Sequence, residues 1–271
     1  MNEFASVAGV RLASLTVGYC VLGLTAVAPL QVACAQTPSV SQTLDDARMY
    51  VTAPLRWDKD DWKVFGGTLA VIAASHELDG KTRDHFAGAN GVVLDGKDRH
   101  STRDALPAAA VVAGTWLYAA SIHDSTGFVE GWNMLEAAGL STATAYALKF
   151  AAGRQRPNES TSADRWFSGG NSFPSLHATA AFAIGTVLAE SGNDRWRWVR
   201  RGLGYGIAVG TAYRRLDGNA HWLSDTVAGA AIGLSTANFV LQHSQDRRLA
   251  RGMSVVPLEG GVMLSWTMPL N

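Results

Sequence analysis

Apolar stretches with helix-compatible spacing recur along the chain at Lys63 to Ser75, Pro107 to Ile122, Asn133 to Phe150, Ala178 to Ala189, Gly202 to Tyr213 and Thr226 to Gln242. Apolar residues returning every three to four positions turn one stripe of each stretch toward a common interior, so the pattern predicts five or six helices packed as an all-α bundle. Small residues crowd these stretches, as in Ala108, Ala109 and Ala110 or Gly229, Ala230, Ala231 and Gly233. They suit closely packed helices, whereas a β-sandwich would be dominated by Val, Ile and Thr. Between the first two stretches, His76 to Asp104 is dense in charge and glycine, with Asp79, Lys81, Arg83, Asp84, Asp95, Lys97, Asp98 and Arg99. It reads as a surface excursion, partly helical at best, and as a candidate lid. The tail from Ser254 differs: Val255, Val256, Val262, Leu264 and Trp266 around Gly260-Gly261 predict a short β-hairpin.

The N-terminal segment stands apart from the bundle. Arg11 precedes an apolar run from Leu12 to Leu30, and Ala33-Cys34-Ala35 then supplies a small-x-small cleavage pattern. Residues 1–35 are therefore expected to be a secretory signal peptide with Gln36 as the mature N-terminus, the alternative being a membrane anchor. Cys20 and Cys34 both fall inside it, so the mature chain is expected to carry no disulfide and no thiolate site. The uncharged runs Pro107 to Ile122 and Thr226 to Gln242 fall short of the roughly 20 residues of a spanning helix, and mean hydropathy is only +0.04. These features favour a soluble, periplasmic protein over one in the inner membrane.

Composition narrows the partners. The 271 residues are 47% hydrophobic, and 23 Lys+Arg balance 23 Asp+Glu. A disordered chain and a polycationic nucleic-acid binder are both excluded by that balance.

Three segments carry chemistry. In Lys149-Phe-Ala-Ala-Gly-Arg-Gln-Arg156-Pro157, two cations seven residues apart return to nearly one face of a predicted helix end, and Pro157 biases Arg156 out of the helical region. In Gly169-Gly170-Asn171-Ser172-Phe173-Pro174-Ser175-Leu176-His177, a loop runs into a helix whose first N–H groups, with the Ser175 hydroxyl, form an anion site beside a proton-donating His177. In Arg215-Leu-Asp-Gly-Asn-Ala-His221-Trp-Leu-Ser-Asp225, His221 and Asp225 stand four apart on a predicted helix, a spacing that lets the carboxylate fix the imidazole tautomer. Each segment alone also reads blandly: a solvated basic helix end, an ordinary serine cap, a surface His–Asp pair.

Together, the order Lys-x6-Arg-Pro, Pro-Ser-x-His and Arg-x5-His-x3-Asp resembles the type 2 phosphatidic acid phosphatase (PAP2) superfamily of bacterial acid phosphatases, lipid phosphatases and vanadium haloperoxidases. The resemblance implies a helical phosphatase domain, placed at residues 36–245 and followed by a tail at 246–271. It implies that Lys149, Arg156 and Arg215, with Ser175 and backbone N–H groups such as that of Leu176, hold the phosphoryl oxygens. His221 is then the nucleophile that forms a phosphohistidine, Asp225 orients it, and His177 is the acid and base. No metal and no cofactor are implied, because the cations neutralise the phosphate. The substrate is a phosphorylated small molecule or lipid, with a membrane-surface association in the lipid case. Two positions depart from the family pattern: Leu176 stands where Gly is usual and Arg214 where Ser is usual. His76, His85, His100, His123 and His243 match no motif and read as surface or packing residues.

Overall fold

In the computed structural model, residues 40–88, 94, 101–122, 124–192, 194–258 and 261–266 are described. The expected signal peptide lies outside these residues, as do most of 89–100. Eight helices appear among the described residues: α1 Val40–Thr52, α2 Lys59–His76, α3 Asp79–Ala87, α4 Ser101–Ser121, α5 Ser125–Ala152, α6 Leu176–Glu190, α7 Arg197–Asp217 and α8 Leu223–Gly252. The backbone of β1 Met253–Leu258 pairs antiparallel with that of β2 Gly261–Trp266, the expected hairpin. The all-α bundle is thus the architecture of the chain, with the hairpin as its tail.

Helix boundaries follow from caps that the apolar pattern alone does not reveal. Asp58 accepts hydrogen bonds from the N–H groups of Asp60 and Asp61 while Asp61 reaches back to the Asp58 N–H, so α2 starts four residues before the Lys63 stretch. Asp124 caps α5 in the same manner at Thr126, which moves its start upstream of Asn133. At the other end of α5, Gly153 takes φ +51, and its N–H bonds to the Lys149 carbonyl. The left-handed residue ends the helix three positions before Arg156. The expectation that Lys149 and Arg156 share a helix face therefore fails, since only Lys149 is helical. The surface reading of His76 to Asp104 also needs correction at both ends: Asp79, on α3, is 0% exposed and Asp104, on α4, is 1% exposed.

Helix α6 is the centre of the bundle, packed against α5, α7 and α8. Its Ala181, Ala183, Ile184 and Val187 join Met134 and Ala137 of α5, Ala208 of α7, Ala237 and Val240 of α8, and Ala108 and Val112 of α4 in one buried cluster. Close approach explains the small residues: a Cβ on Gly185 would run into the Gly204 carbonyl, and one on Gly204 into the Gly185 carbonyl. Glu136 of α5 is buried beside this core, and desolvation pushes its carboxyl up to about 7. Large apolar side chains remain exposed on α2, α4 and α7, among them Phe65, Leu117, Tyr118 and Trp198. Among the described residues no helix is long and apolar enough to cross a membrane.

The α6–α7 contact yields a direct prediction. Gly185→Ala is expected to lower the unfolding free energy by about 1–3 kcal/mol through overpacking. Gly210→Ala, on the same α7 but with nothing within 4 Å of the added carbon, is expected to be neutral or to stabilise by up to about 1 kcal/mol. Urea unfolding of the two variants checks the contrast.

Candidate active site

The site is built where three chain ends meet: the C-terminus of α5, the loop entering α6, and the turn between α7 and α8. The turn brings His221 against the end of α7, its N–H donating to the Arg215 carbonyl at 3.2 Å. His221 itself precedes α8 rather than lying on it, which corrects the expectation of a helical i, i+4 pair. Asp225 sits in the first turn of α8, and its Oδ2 accepts the N–H of Trp222 at 2.9 Å, one half of a capping box. The same Oδ2 lies 3.5 Å from His221 Nδ1. That separation is long for a hydrogen bond.

Asp225 is 0% exposed and richly supplied with donors. Ser172 Oγ donates to Oδ2, and Arg154 Nη1 donates to Oδ1 at 2.7 Å. Burial raises the Asp225 carboxyl, but the His221 imidazole beside it, the Arg154 charge and the Ser172 hydroxyl together hold it below the usual carboxylate range. His221, only 3% exposed, moves the other way from an ordinary imidazole. Burial pulls it down to about 3; Asp225 pulls upward by hydrogen bond and charge, while Arg215 and Arg156 press it further down. The ring is therefore neutral at ordinary pH. With Nδ1 turned to the carboxylate, Nε2 is the nitrogen left for chemistry.

The cations converge from different elements. Lys149, on the last turns of α5, points Nζ to the carbonyls of Asn171 and Ser172. Arg156 donates from Nε to Asn171 Oδ1 at 2.8 Å, so the loop before α6 brings together two cations that the helix does not. Arg215 is 1% exposed and donates to Asp104 Oδ2 at 2.9 Å, while Arg214 Nε meets Asp104 Oδ1 at 2.7 Å. Burial raises the Asp104 carboxyl, yet the two guanidiniums outweigh it and hold it below its ordinary value. Arg214, which stands where the family pattern usually has Ser, is thus engaged by Asp104.

Ser175 caps α6 with its side chain toward the Ala178 N–H, and its own N–H donates to the Asp225 carbonyl at 3.0 Å. That N–H is spent on the fold, while the hydroxyl and the first-turn N–H groups of Leu176 and His177 stand at the N-terminus of α6, a place that favours an anion. Leu176 and His177 also line a cavity of about 490 Å³ together with Asp104, Ala105, Ala109 and Ile184. Its walls are almost entirely apolar side chains of α4 and α6.

Six residues of this neighbourhood escaped the sequence reading: His76, Asp79, Asp104, Arg154, Ser172 and Ser224. Arg154 lies inside the Lys149–Arg156 interval, and no spacing marks it. Asp79 and Asp104 sit at the ends of a charge-dense segment, where a buried carboxylate looks like its solvated neighbours.

Fold and site define an all-helical protein with a buried His–Asp pair ringed by cations. Residues 130–249 match the model of the PAP2 superfamily. A lipid A 1-phosphatase of Porphyromonas gingivalis is 37% identical over 86 residues, which are 32% of this chain; the match spans only 17% of that relative. Among solved structures, a transmembrane PAP2 type phosphatidylglycerolphosphate phosphatase of Bacillus subtilis superposes with a TM-score of 0.38 at 19% identity, covering 80% of this chain and 92% of its own. That superposition is too loose to assign any residue.

The two displaced titrations predict opposite acid responses. Between about pH 6.5 and 3 the unfolded chain binds a proton at His221 that the folded chain refuses, so this group costs stability as pH falls. Between about pH 7 and 4.5 the folded chain keeps a proton on Glu136 that the unfolded chain releases, so this group adds stability as pH falls. From pH 6.5 down to 4.5, His221→Asn is expected to gain stability relative to the wild type, and Glu136→Gln to lose it. Each slope differs by up to about 1.4 kcal/mol per pH unit for one proton. Urea titrations at four pH values read both slopes.

Proposed function

We propose that the protein is a metal-independent phosphatase acting through a phosphohistidine, with lipid phosphates as the substrate class. The observation that carries the reading is the neutral, buried His221, with Nδ1 turned to Asp225 and with Arg215 and Arg156 close enough to act on its charge. An unprotonated imidazole nitrogen amid fixed cations suits attack on phosphorus, because the cations match the charge spread over the equatorial oxygens.

In this reading Lys149, Arg156, Arg215 and the donors at Ser175, Leu176 and His177 hold the phosphoryl group. His221 Nε2 forms the P–N bond as the P–O bond to the leaving group breaks, and His177 gives the departing oxygen its proton. Water then attacks phosphorus and returns a proton to His177; the P–N bond breaks, inorganic phosphate leaves, and Nε2 regains its lone pair. Asp225 keeps the Nδ1 proton in place and offsets the positive charge of the phosphoimidazolium.

The lipid assignment rests on the cavity. His177 lines it, so a leaving group protonated by His177 begins at the mouth of an apolar trough along α4 and α6. A sugar or nucleoside would leave that wall without hydrogen-bonding partners, whereas an alkyl or isoprenoid chain gains roughly 0.8 kcal/mol for each buried methylene. The relative named as a lipid A 1-phosphatase supports the same class, and the exposed apolar side chains of α2, α4 and α7 support work at a lipid surface. Export by residues 1–35 to the periplasm belongs to this proposal as well.

With EDTA present, the wild type is expected to hydrolyse a long-chain lipid phosphate and p-nitrophenyl phosphate, and His221→Ala to lose at least about 1000-fold in kcat. Unchanged turnover in that variant overturns the phosphohistidine mechanism. Ala109→Trp, which fills the trough, is expected to lower kcat/KM for the long-chain substrate at least about tenfold while sparing p-nitrophenyl phosphate. Equal losses on the two substrates would remove the trough from substrate recognition.

A further inference from the structure

Behind the His–Asp pair stands a second charge cluster that the mechanism above does not use. Arg154 is 0% exposed, and its guanidinium runs between two carboxylates that are also 0% exposed. Nη1 donates to Asp225 Oδ1 at 2.7 Å and to Ser224 Oγ at 2.8 Å. Nη2 meets Asp79 Oδ2 at 2.6 Å, the Ala163 carbonyl at 2.8 Å and His76 Nδ1 at 3.0 Å; Nε takes the Ala163 carbonyl at 3.0 Å. Trp166 and Trp222 flank the plane, with ring centroids 4.4 and 5.3 Å from Cζ. A guanidinium has five N–H donors, and each of them has an acceptor here, the Ala163 carbonyl taking two. Arg154 therefore has nothing left to offer a phosphate, unlike the neighbouring Arg156.

Asp79 is fixed just as firmly. Its Oδ1 accepts the Ser224 N–H at 2.8 Å, and Oδ2 accepts the Ser224 hydroxyl at 2.6 Å, in the first turn of α8 where a carboxylate is favoured. His76 closes the outer side, with Nδ1 2.9 Å from Asp79 Oδ2 and Nε2 2.9 Å from Asp164 Oδ1.

We infer that Arg154, anchored by Asp79, is a positioning residue for the proposed reaction: by occupying Oδ1 of Asp225 it fixes the carboxylate so that Oδ2 faces His221 Nδ1. The inference rests on the phosphatase reading. Its physical content is directional. A carboxylate free to rotate presents either oxygen to the imidazole; one locked at Oδ1 by a guanidinium that cannot itself move presents only the other. The charge count also fits the chemistry, since two carboxylates around one guanidinium leave one negative charge to meet the positive charge that His221 acquires when phosphorylated.

The test compares Arg154→Lys, which keeps the charge and loses the fork, with Asp79→Asn, which keeps Arg154 and the volume. Both are checked for native helicity and cooperative melting. Arg154→Lys is expected to lower kcat about 10- to 100-fold with KM changed less than about threefold, by analogy with lost outer-shell partners elsewhere. Asp79→Asn is expected to do the same more mildly. In an Asp225→Asn background, Arg154→Lys is expected to cost less than about threefold more, because its effect passes through Asp225. In 15N-histidine-labelled protein, the downfield His221 Nδ1–H resonance is expected in the wild type and displaced or lost in Arg154→Lys. A folded Arg154→Lys with wild-type kcat, an additive loss in the double variant, or an unmoved His221 resonance overturns the inference. Failure of both single variants to fold also overturns it, marking the cluster as a folding element. A wild type inactive on every phosphate ester, with the His221 resonance still dependent on Arg154, refutes the phosphatase reading and leaves the positioning intact.

Discussion

The carboxylate of Asp225 is the constraint around which the rest of the structure is arranged. An ion at 0% exposure loses its hydration, and the loss is repaired only when donors replace water at both oxygens. Here a guanidinium serves Oδ1, while a hydroxyl, a backbone N–H and an imidazole gather at Oδ2. These donors come from three parts of the chain: Arg154 beyond α5, Ser172 before α6, Trp222 and His221 between α7 and α8. To ionise Asp225 in the interior is thus to require three helix ends at one point. The carbonyl of Asp225 extends the requirement, since it accepts the Ser175 N–H and so ties the start of α8 to the start of α6.

Helix α6 converts that local requirement into a global one. Its small residues let α7 and α8 press against it, and its N-terminus is held at the site by Ser175, so packing along the helix sets where the first-turn N–H groups point. Asp104 does the equivalent for the cations. Without it, Arg215 would be a buried charge beside a neutral imidazole; with it, the guanidinium is held in place and its charge partly balanced before any substrate arrives. Preorganisation of this kind makes electrostatic stabilisation effective, because no reorientation is needed as charge develops.

What the sequence disclosed and what it concealed divide along the range of the interactions. His221 and Asp225 were legible because four residues separate them, and Ser175 because a serine before an apolar helix is a local cap. The helices were legible as apolar stretches, but their ends were not, since Asp58, Asp124 and Gly153 act through hydrogen bonds to two or three residues and leave no trace in periodicity. The heptad argument for Lys149 and Arg156 placed both residues in the site for the wrong reason. Gly153 breaks the helix between them, and Asn171 reunites them through its carbonyl and its side chain. Asp79, Asp104 and Arg154 were hidden for a stronger reason: nothing in a charge-dense stretch tells which carboxylate will be buried, because the oppositely charged partners that make burial tolerable lie 71 to 111 positions away.

The juxtaposition of this charge network with an apolar trough is itself informative. Asp104 belongs to both, its oxygens turned to Arg214 and Arg215 while the side chains after it on α4 line the cavity. A site for a small polar phosphate ester needs the cations but gains nothing from a dry wall next to His177. A site for an amphiphile needs both, joined at the scissile bond, since the ester oxygen is where a polar head ends and an apolar body begins. Leu176 stands at that seam. Leu176 opens α6 and its side chain lines the trough; in the proposed reading a glycine there would offer the head only an N–H, whereas leucine offers the same N–H and an apolar contact for the chain.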